Sequence, residues 1–301
     1  TIFKLHLIDD ITFESIYSKE LPPYLNITKI ISHTFKCDPH VTYFIILYAK
    51  ALPHENDANE GKIDIAMVVD NKSDKKLKIV SSTKFKNAGP YCVRALADDY
   101  LLVGIKSKIQ LFKWKLKSSN NVNIGSNNND EYLFGLEHLH SIYGFTYILD
   151  IKVHGDFFIG IDLMKSISMF VYTKHHNSIK TDTDMKDNNT ESKDNNSNQN
   201  DGTITEIARD YEPAWMKCGE LYNDQYIIGV DASGNLFGLK RNIESTNEDE
   251  RGRLDKVSKI NLCDDVNCIV KGSLVMDIPV DYKNTNNIYN NNETKTNDNN
   301  N

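Results

Sequence analysis

The chain has 301 residues, of which 40% are hydrophobic, so it is long enough for one large domain or two small ones. Its formal net charge of −7 argues against a general nucleic-acid-binding role, because such binding depends mainly on Lys and Arg contacts to phosphates. No apolar run of about 18 residues is present, so we expect no membrane span.

Five cysteines occur without a Cys-x-x-Cys pair, which indicates reduced thiols rather than a disulfide framework. We interpret Cys263 and Cys268 as small buried apolar residues, since no neighbouring ligand completes a zinc site. The chain opens at Thr1 without Met and inside an apolar run, so we expect it to be a piece of a longer protein.

A pair of apolar, strand-like runs joined by a polar connection recurs along the chain. In three copies the first run contains Gly at its end, which suits a bulge or a close approach of neighbouring backbone. The connections in these copies are short and typical of hairpins. The paired runs are Tyr43–Leu47 with Lys62–Val68, Tyr100–Gly104 with Ile109–Trp114, Phe157–Gly160 with Ile167–Tyr172, and Tyr226–Gly229 with Asn235–Leu239.

Further strand-like runs lie between these pairs, at Leu77–Lys84, Thr203–Ile207 and Val257–Leu262. When polar inserts are discounted, the repeat period is roughly 40 to 50 residues, the range of β-propeller blades. A β-sandwich does not predict the same unit recurring at this spacing. We therefore predict an all-β fold, a partial β-propeller of about four to five blades of four-stranded antiparallel sheet.

Three polar segments interrupt or end the predicted propeller. They are Ser118–Asp130, a stretch from about Thr173 to Gly202, and the Asn-rich tail Lys283–Asn301. Because they lack the apolar residues needed to offset the entropy of ordering, we predict that they are disordered. The expected organisation is a propeller region over 1–282, with inserts near 118–130 and 173–202, and a tail over 283–301.

No catalytic motif is found: the sequence lacks G-x-S-x-G, a phosphate-binding loop, G-x-G-x-x-G and H-E-x-x-H. His138 and His140 alternate on a predicted strand beside Glu137, but a fixed third metal ligand is missing. We therefore expect a protein that is not an enzyme and that holds no cofactor and no metal.

Two further patterns permit both a structural and a functional interpretation. Lys113, Lys115 and Lys117 share one face of a predicted strand; a solvated face is favoured over phosphate binding because the chain is acidic. Trp215 follows a charged stretch and a Pro, and we favour a core position for it. Together with Arg209 it could instead anchor an interface, and composition does not choose between the two.

Several runs resemble the large subunit of the UV-damaged DNA-binding complex. Gly160–Ser166 is similar to that family's V-G-D-L-M-R-S segment, and Glu206–Met216 is similar to its E-I-A-R-D-F-N-P-N-W-M. The runs Leu7–Glu14, Asp249–Leu254 and Lys271–Met276 match in the same order. Cousins of this family are the large subunit of the cleavage and polyadenylation specificity factor and a splicing-factor 3b subunit.

The resemblance implies a nuclear scaffold, possessing three propellers and a C-terminal helical domain, that serves as adaptor of cullin-type ubiquitin ligases in DNA repair. This chain resembles the third propeller, which with the first forms a clamp for substrate-receptor proteins. The cullin would bind only parts of the parent protein outside this chain, and contact with damaged DNA would be indirect. The alternative is an RNA-processing subunit, like the cousins, that contacts nucleic acid.

Family positions that line the clamp carry over as partner-binding residues: Tyr91, Leu163, Lys165, Arg209, Trp215 and Asn267. Lys165 replaces an Arg of the family, which removes planar bidentate pairing, and Ile161 is an extra residue in the family's G-D pair. Beyond Met276 the family continues with another strand pair, whereas this chain becomes Asn-rich. We therefore expect an incomplete ring with an open sheet edge and apolar faces.

Overall fold

The computed structural model describes residues 2–71, 74–116, 134–174 and 202–272. Thr1–Ile269 forms one compact unit, and Val270–Asn301 forms a second unit, of which only 270–272 are described. All elements below belong to the first unit. The predicted inserts fall outside the described residues, except for Thr173, Lys174 and Gly202 at the two ends of the second insert. Thr173 ends a strand and pairs with Thr203 across that insert.

The described strands form five antiparallel sheets, each in chain order. The first pairs β1 (Lys4–Ile8) with β2 (Ser15–Glu20). The first blade contains β3 (Leu25–His33), β4 (Tyr43–Lys50), β5 (Glu60–Asn71) and β6 (Asp74–Lys86). The second blade contains β7 (Pro90–Leu96), β8 (Tyr100–Ile105), β9 (Lys108–Leu116) and β10 (Phe134–Ile142).

The third blade contains β11 (Ile148–His154), β12 (Phe157–Asp162), β13 (Ser166–Thr173) and β14 (Thr203–Arg209). The fourth contains β15 (Met216–Leu221), β16 (Tyr226–Asp231), β17 (Asn235–Arg241) and β18 (Leu254–Asn261). A single turn of helix, α1 (Glu248–Arg251), precedes β18.

The sheets are arranged radially. The first strands of successive blades contact one another in the order β3, β7, β11 and β15, so they lie innermost around a common axis. The last strands lie outermost, where β6 contacts β2 on one side and β10 on the other. This is the partial propeller predicted from the repeat, with four complete blades and one two-stranded unit in the described part of the chain.

Apolar side chains fill the spaces between neighbouring blades. On β4, Ile45 and Leu47 join the core shared with the second blade, whereas Ile46 joins a smaller core beneath the β1–β2 unit. A strand covered on both faces needs apolar residues at consecutive positions, which is why the strands of the repeat read as continuous apolar runs. Burying each such side chain stabilises the fold by about 1.5–3 kcal/mol.

The recurring glycines permit close approach, as the sequence predicted. A Cβ on Gly104 would lie 2.3 Å from Cys92 Sγ and 2.8 Å from Ile148 Cγ2, and one on Gly160 would lie 2.9 Å from the Phe145 ring. Side chains that approach the second strands of the blades therefore occupy the space that a Cβ would need.

The axis of the ring is lined by paired charges on the inner strands. Arg94 of β7 forms a salt bridge of 3.0 Å with Asp150 of β11, and Lys152 of β11 forms one of 2.9 Å with Glu220 of β15. Lys152 Nζ also lies 3.7 Å from Asp150. These contacts link three consecutive blades at their inner edges.

The burial predicted for Cys263 and Cys268 is wrong: both are exposed. They follow β18, and no described strand pairs beyond them, so nothing in the described chain covers them. Val257 and Ile260 of β18, the outermost strand of the fourth blade, are exposed as well.

Candidate functional site: one face of the ring

One end of the blades carries most of the predicted site residues. The turns that follow β4, β8, β12 and β16 lie at this end, because the strands of each blade are antiparallel and in chain order. The segments that lead into β7, β11 and β15 lie there too. We call this end the turn face, and it contains Tyr91, Leu163, Lys165 and Trp215.

Asp162 fixes the turn that presents Leu163 and Lys165. Its side chain is buried, and one carboxylate oxygen accepts the backbone N–H groups of Met164 and Lys165, at 2.8 and 2.9 Å. The other oxygen accepts the N–H of Tyr147 at 3.1 Å and also that of Thr146. A single carboxylate therefore holds the β12–β13 turn against the segment that leads into β11.

Backbone hydrogen bonds then connect this turn to the fourth blade. The N–H of Leu163 donates to Tyr147 O at 2.9 Å, and Leu163 O accepts from Met216 N at 3.0 Å. Lys165 forms a parallel bridge with Ala214, the residue before Trp215. The structure therefore brings Leu163, Lys165 and Trp215 together at the boundary between two blades.

Trp215 is 59% exposed, so the core position favoured from the sequence is wrong. The chain around it is nevertheless fixed, since its carbonyl accepts the N–H of Ala232 at 2.7 Å. Tyr211, on the same connection, is exposed as well. The connection between β14 and β15 thus presents aromatic rings outwards.

The two basic candidates differ in their partners. The Lys165 ammonium donates to Gly144 O at 2.8 Å. Arg209 is half-buried and forms a bidentate pair with Glu206, at 2.7 and 2.9 Å. Arg209 lies at the end of β14, close enough to Gly144 that a Cβ there would be 3.9 Å from its Nη2. Lys165 is consequently the more available cation for an external acidic group.

Tyr91 belongs to a polar cluster on the turn face. Its hydroxyl donates to Asp57 Oδ1 at 2.5 Å, and the Tyr147 hydroxyl donates to the same oxygen at 3.2 Å. Lys106 Nζ lies 3.3 Å from Asp57 Oδ2. Sequence reasoning missed Asp57, Lys106 and Tyr147, because no local pattern marks residues that meet only when three blades assemble.

Electrostatics in this cluster favour the charged carboxylate and neutral hydroxyls. Partial burial works to raise the pKa of Asp57, but the Tyr91 hydroxyl, the Ala58 amide and Lys106 outweigh it, so the pKa lies below its usual value. Burial, followed by the hydrogen bond to Asp57, raises the pKa of Tyr91. Burial and its contact with Tyr91 raise the pKa of Tyr147 well above its usual range.

Asn267 lies apart from the other candidates. It is exposed, on a segment that runs along β15, where Lys217 pairs with Asp265 at 2.9 Å and Cys218 Sγ lies 3.5 Å from Val266 O. In the part of the chain that the structure describes, no hydrogen bond joins Asn267 to the other five candidates.

His138 Nε2 lies 2.9 Å from Ser141 Oγ. Among the described residues, no three His, Cys, Asp or Glu side chains are placed to hold a metal ion. Within the same ranges, none of the helices is long and apolar enough to span a membrane.

The chain is a segment of a β-propeller protein, because its four-stranded sheets are arranged radially. One face of this segment presents exposed aromatic and basic side chains on ordered backbone. The chain belongs to the family described as the CPSF A subunit region, whose model matches residues 2–192 and 196–293. This match, together with the relatives described next, confirms the resemblance recognised from the motifs.

Several relatives bear the name DNA damage-binding protein 1. The rice (Oryza sativa subsp. japonica) protein is 32% identical over 275 residues, covering 91% of this chain and 21% of the relative. DNA damage-binding protein 1a of Arabidopsis thaliana is 31% identical with the same coverage. The Drosophila melanogaster protein is 26% identical, over 91% of this chain and 20% of the relative. The chain spans about a fifth of the length of these relatives.

Proposed function

We propose that this chain is the receptor-binding propeller of a cullin-RING ubiquitin ligase adaptor linked to DNA damage repair. It acts in the nucleus as a protein-interaction scaffold and is not an enzyme. The observation that carries this proposal is the exposed Trp215 beside Leu163 and Lys165, on backbone tied to two blades.

The chemistry of the turn face suits a protein partner. Trp, Tyr and Arg dominate the binding energy of protein interfaces, and rigid anchors lose little freedom when a partner docks. Trp215 and Tyr211 supply apolar area, and Lys165 supplies an exposed cation whose ammonium donates to the backbone carbonyl of Gly144. A receptor segment with an apolar side chain beside a carboxylate fits this combination.

In this proposal the partners are substrate-receptor proteins. The cullin binds elsewhere on the parent protein, and damaged DNA is reached through a receptor rather than through this chain. The net charge of −7 supports indirect DNA contact, because the chain has no overall excess of positive charge for phosphates.

A pulldown of receptors by the intact parent protein tests the proposal. Trp215→Ala combined with Arg209→Ala is expected to reduce receptor recovery by tenfold or more, since truncating an interface anchor costs about 2 kcal/mol or more. Tyr222→Ala is the matched control, because this exposed aromatic residue follows β15 at the opposite end of the blade. Unchanged recovery with the double variant would count decisively against a receptor-binding turn face.

The family's name favours one alternative, an RNA-processing subunit that contacts nucleic acid. Proteins that co-purify with the intact parent distinguish the two functions: cullin and receptors support the ligase adaptor, whereas polyadenylation factors support the alternative. RNA binding that weakens steeply with added salt would also support the RNA-processing alternative.

A further inference from the structure

Asp57 is the meeting point of three blades on the turn face. It lies on the β4–β5 connection of the first blade, Tyr91 begins the second blade, and Tyr147 leads into the third. Both tyrosine hydroxyls donate to Asp57 Oδ1, at 2.5 and 3.2 Å, while Lys106 approaches Oδ2 at 3.3 Å. The carboxylate is therefore occupied on both oxygens by groups of neighbouring blades.

Close packing holds the backbone at Asp57 in place. Ala58 is buried, and its N–H donates to Asp57 Oδ1 at 2.8 Å. A Cβ on Gly89 would lie 2.8 Å from the Ala58 Cβ, so the connection rests directly against the chain that leads into β7. The carboxylate is thus a fixed acceptor, not the end of a free loop.

The two tyrosine rings are paired as a consequence. Their centroids lie 5.3 Å apart with an interplanar angle of 52°, and both rings are half-buried. Because each hydroxyl already donates to Asp57, the rings offer a partner mainly their carbon atoms. Such a pair is suited to an apolar side chain, and its fixed rotamers reduce the freedom lost on association.

We propose that Asp57 is a positioning residue of the turn face, which holds Tyr91 and Tyr147 as a preformed pair for an apolar side chain of a receptor. Lys106 balances the charge of the carboxylate. The part of this proposal that concerns receptor binding rests on the proposed function. The positioning of the two rings can be tested without any partner.

The first test observes the rings by NMR in the full 301-residue chain, deuterated except for its tyrosine rings. Tyr91→Phe and Tyr147→Phe assign the two signals. We expect a ring-to-ring nuclear Overhauser effect in the unsubstituted chain, and we expect it to weaken severalfold in Asp57→Ala and Asp57→Asn. Glu60→Gln is the matched control, since it removes a carboxylate at the start of β5, directly after the same connection, where exposed Glu60 pairs with Lys50.

A ring-to-ring effect that stays at its original strength in both Asp57 variants overturns the proposal, whatever the partner. Asp57→Asn keeps the shape of the side chain, so it serves as the test variant if Asp57→Ala fails to fold. A severalfold weaker ring-to-ring effect in Asp57→Asn, measured where the variant is fully folded, supports positioning over a purely structural role.

The second test measures the affinity for the receptor recovered by the unsubstituted protein in the pulldown. Asp57→Asn is expected to weaken binding about tenfold, because ordering two side chains then accompanies association. Glu60→Gln is expected to leave it unchanged. Loosened rings with unchanged affinity would refute the docking role of Asp57, while loss of binding in the Trp215 and Arg209 variants would still uphold the turn face.

Discussion

Ser166 and Asp210 form a buried hydrogen bond beneath the turn face. The Ser166 hydroxyl donates to Asp210 Oδ2 at 2.6 Å, and both side chains are almost inaccessible to solvent. Asp210 Oδ1 accepts the N–H of Glu212 at 3.0 Å, so the same carboxylate shapes the connection that carries Trp215. The outward display of Trp215 thus depends on a polar contact inside the blade.

Ser166→Ala is expected to destabilise the fold by about 1–3 kcal/mol, because it leaves a buried carboxylate oxygen without its donor. Urea unfolding followed by fluorescence measures the change. Ser107→Ala is the control, since Ser107 is exposed in the corresponding turn of the second blade and should change the free energy of unfolding by less than about 0.5 kcal/mol. Equal effects of the two substitutions would show that the buried hydrogen bond contributes nothing.

Gly104→Ala is expected to destabilise the second blade by about 1–3 kcal/mol through overpacking. The added Cβ would lie 2.3 Å from Cys92 Sγ. Cys92→Ala removes that sulfur, so the double variant should lose less stability than the sum of the single variants. Gly252→Ala serves as the control, because a Cβ there meets its nearest atom at 3.5 Å, an ordinary contact distance. If the losses of stability in the two single variants add up in the double variant, the added Cβ does not act through Cys92. The clash would then be with another neighbour, such as Ile148.

Lys152→Met is expected to cost about 3–5 kcal/mol, because Lys152 is the cation between Asp150 and Glu220. Its side chain is only 11% exposed, so solvent compensates little for its loss. The same substitution at Lys50, whose pair with Glu60 is exposed, should cost less than about 1 kcal/mol. Chemical unfolding of both variants provides the comparison, and similar losses would show that the inner charges are screened like surface ones.

The middle strands of the blades could be predicted from sequence, and the inner strands could not. β8 and β12 are apolar on both faces because each lies between two cores, and β16 packs against one core. The hairpins that these strands begin leave a clear repeat in the sequence. The inner strands β7, β11 and β15 carry Arg94, Asp150, Lys152 and Glu220 towards the axis. These charges obscure the apolar pattern, and their pairing depends on blades that are far apart in sequence.

The candidate site shows the same division. The motif around Leu163 and Lys165 and the run ending in Trp215 are contiguous in sequence, so a resemblance identifies them. Asp57 meets Tyr147 across 90 residues of chain, and nothing local specifies that contact. Whether Trp215 is buried or exposed also depends on the neighbouring blade, which explains why the core position favoured from sequence was wrong.

The lowered pKa of Asp57 predicts how the cluster responds to acid. Since the folded pKa lies below the ordinary value of 3.8, the ionised carboxylate stabilises the fold at all pH values above about 4. This stabilisation is lost as the pH falls through the folded pKa. The stability difference between the unsubstituted chain and Asp57→Asn should therefore be constant from pH 7 to about pH 5 and should shrink as the pH falls below 3.8 and through the folded pKa. Urea unfolding across this range measures it, with Glu60→Gln for comparison. A difference that grows on acidification would mean that Asp57 has a raised pKa and is not the charged acceptor of the two tyrosine hydroxyls.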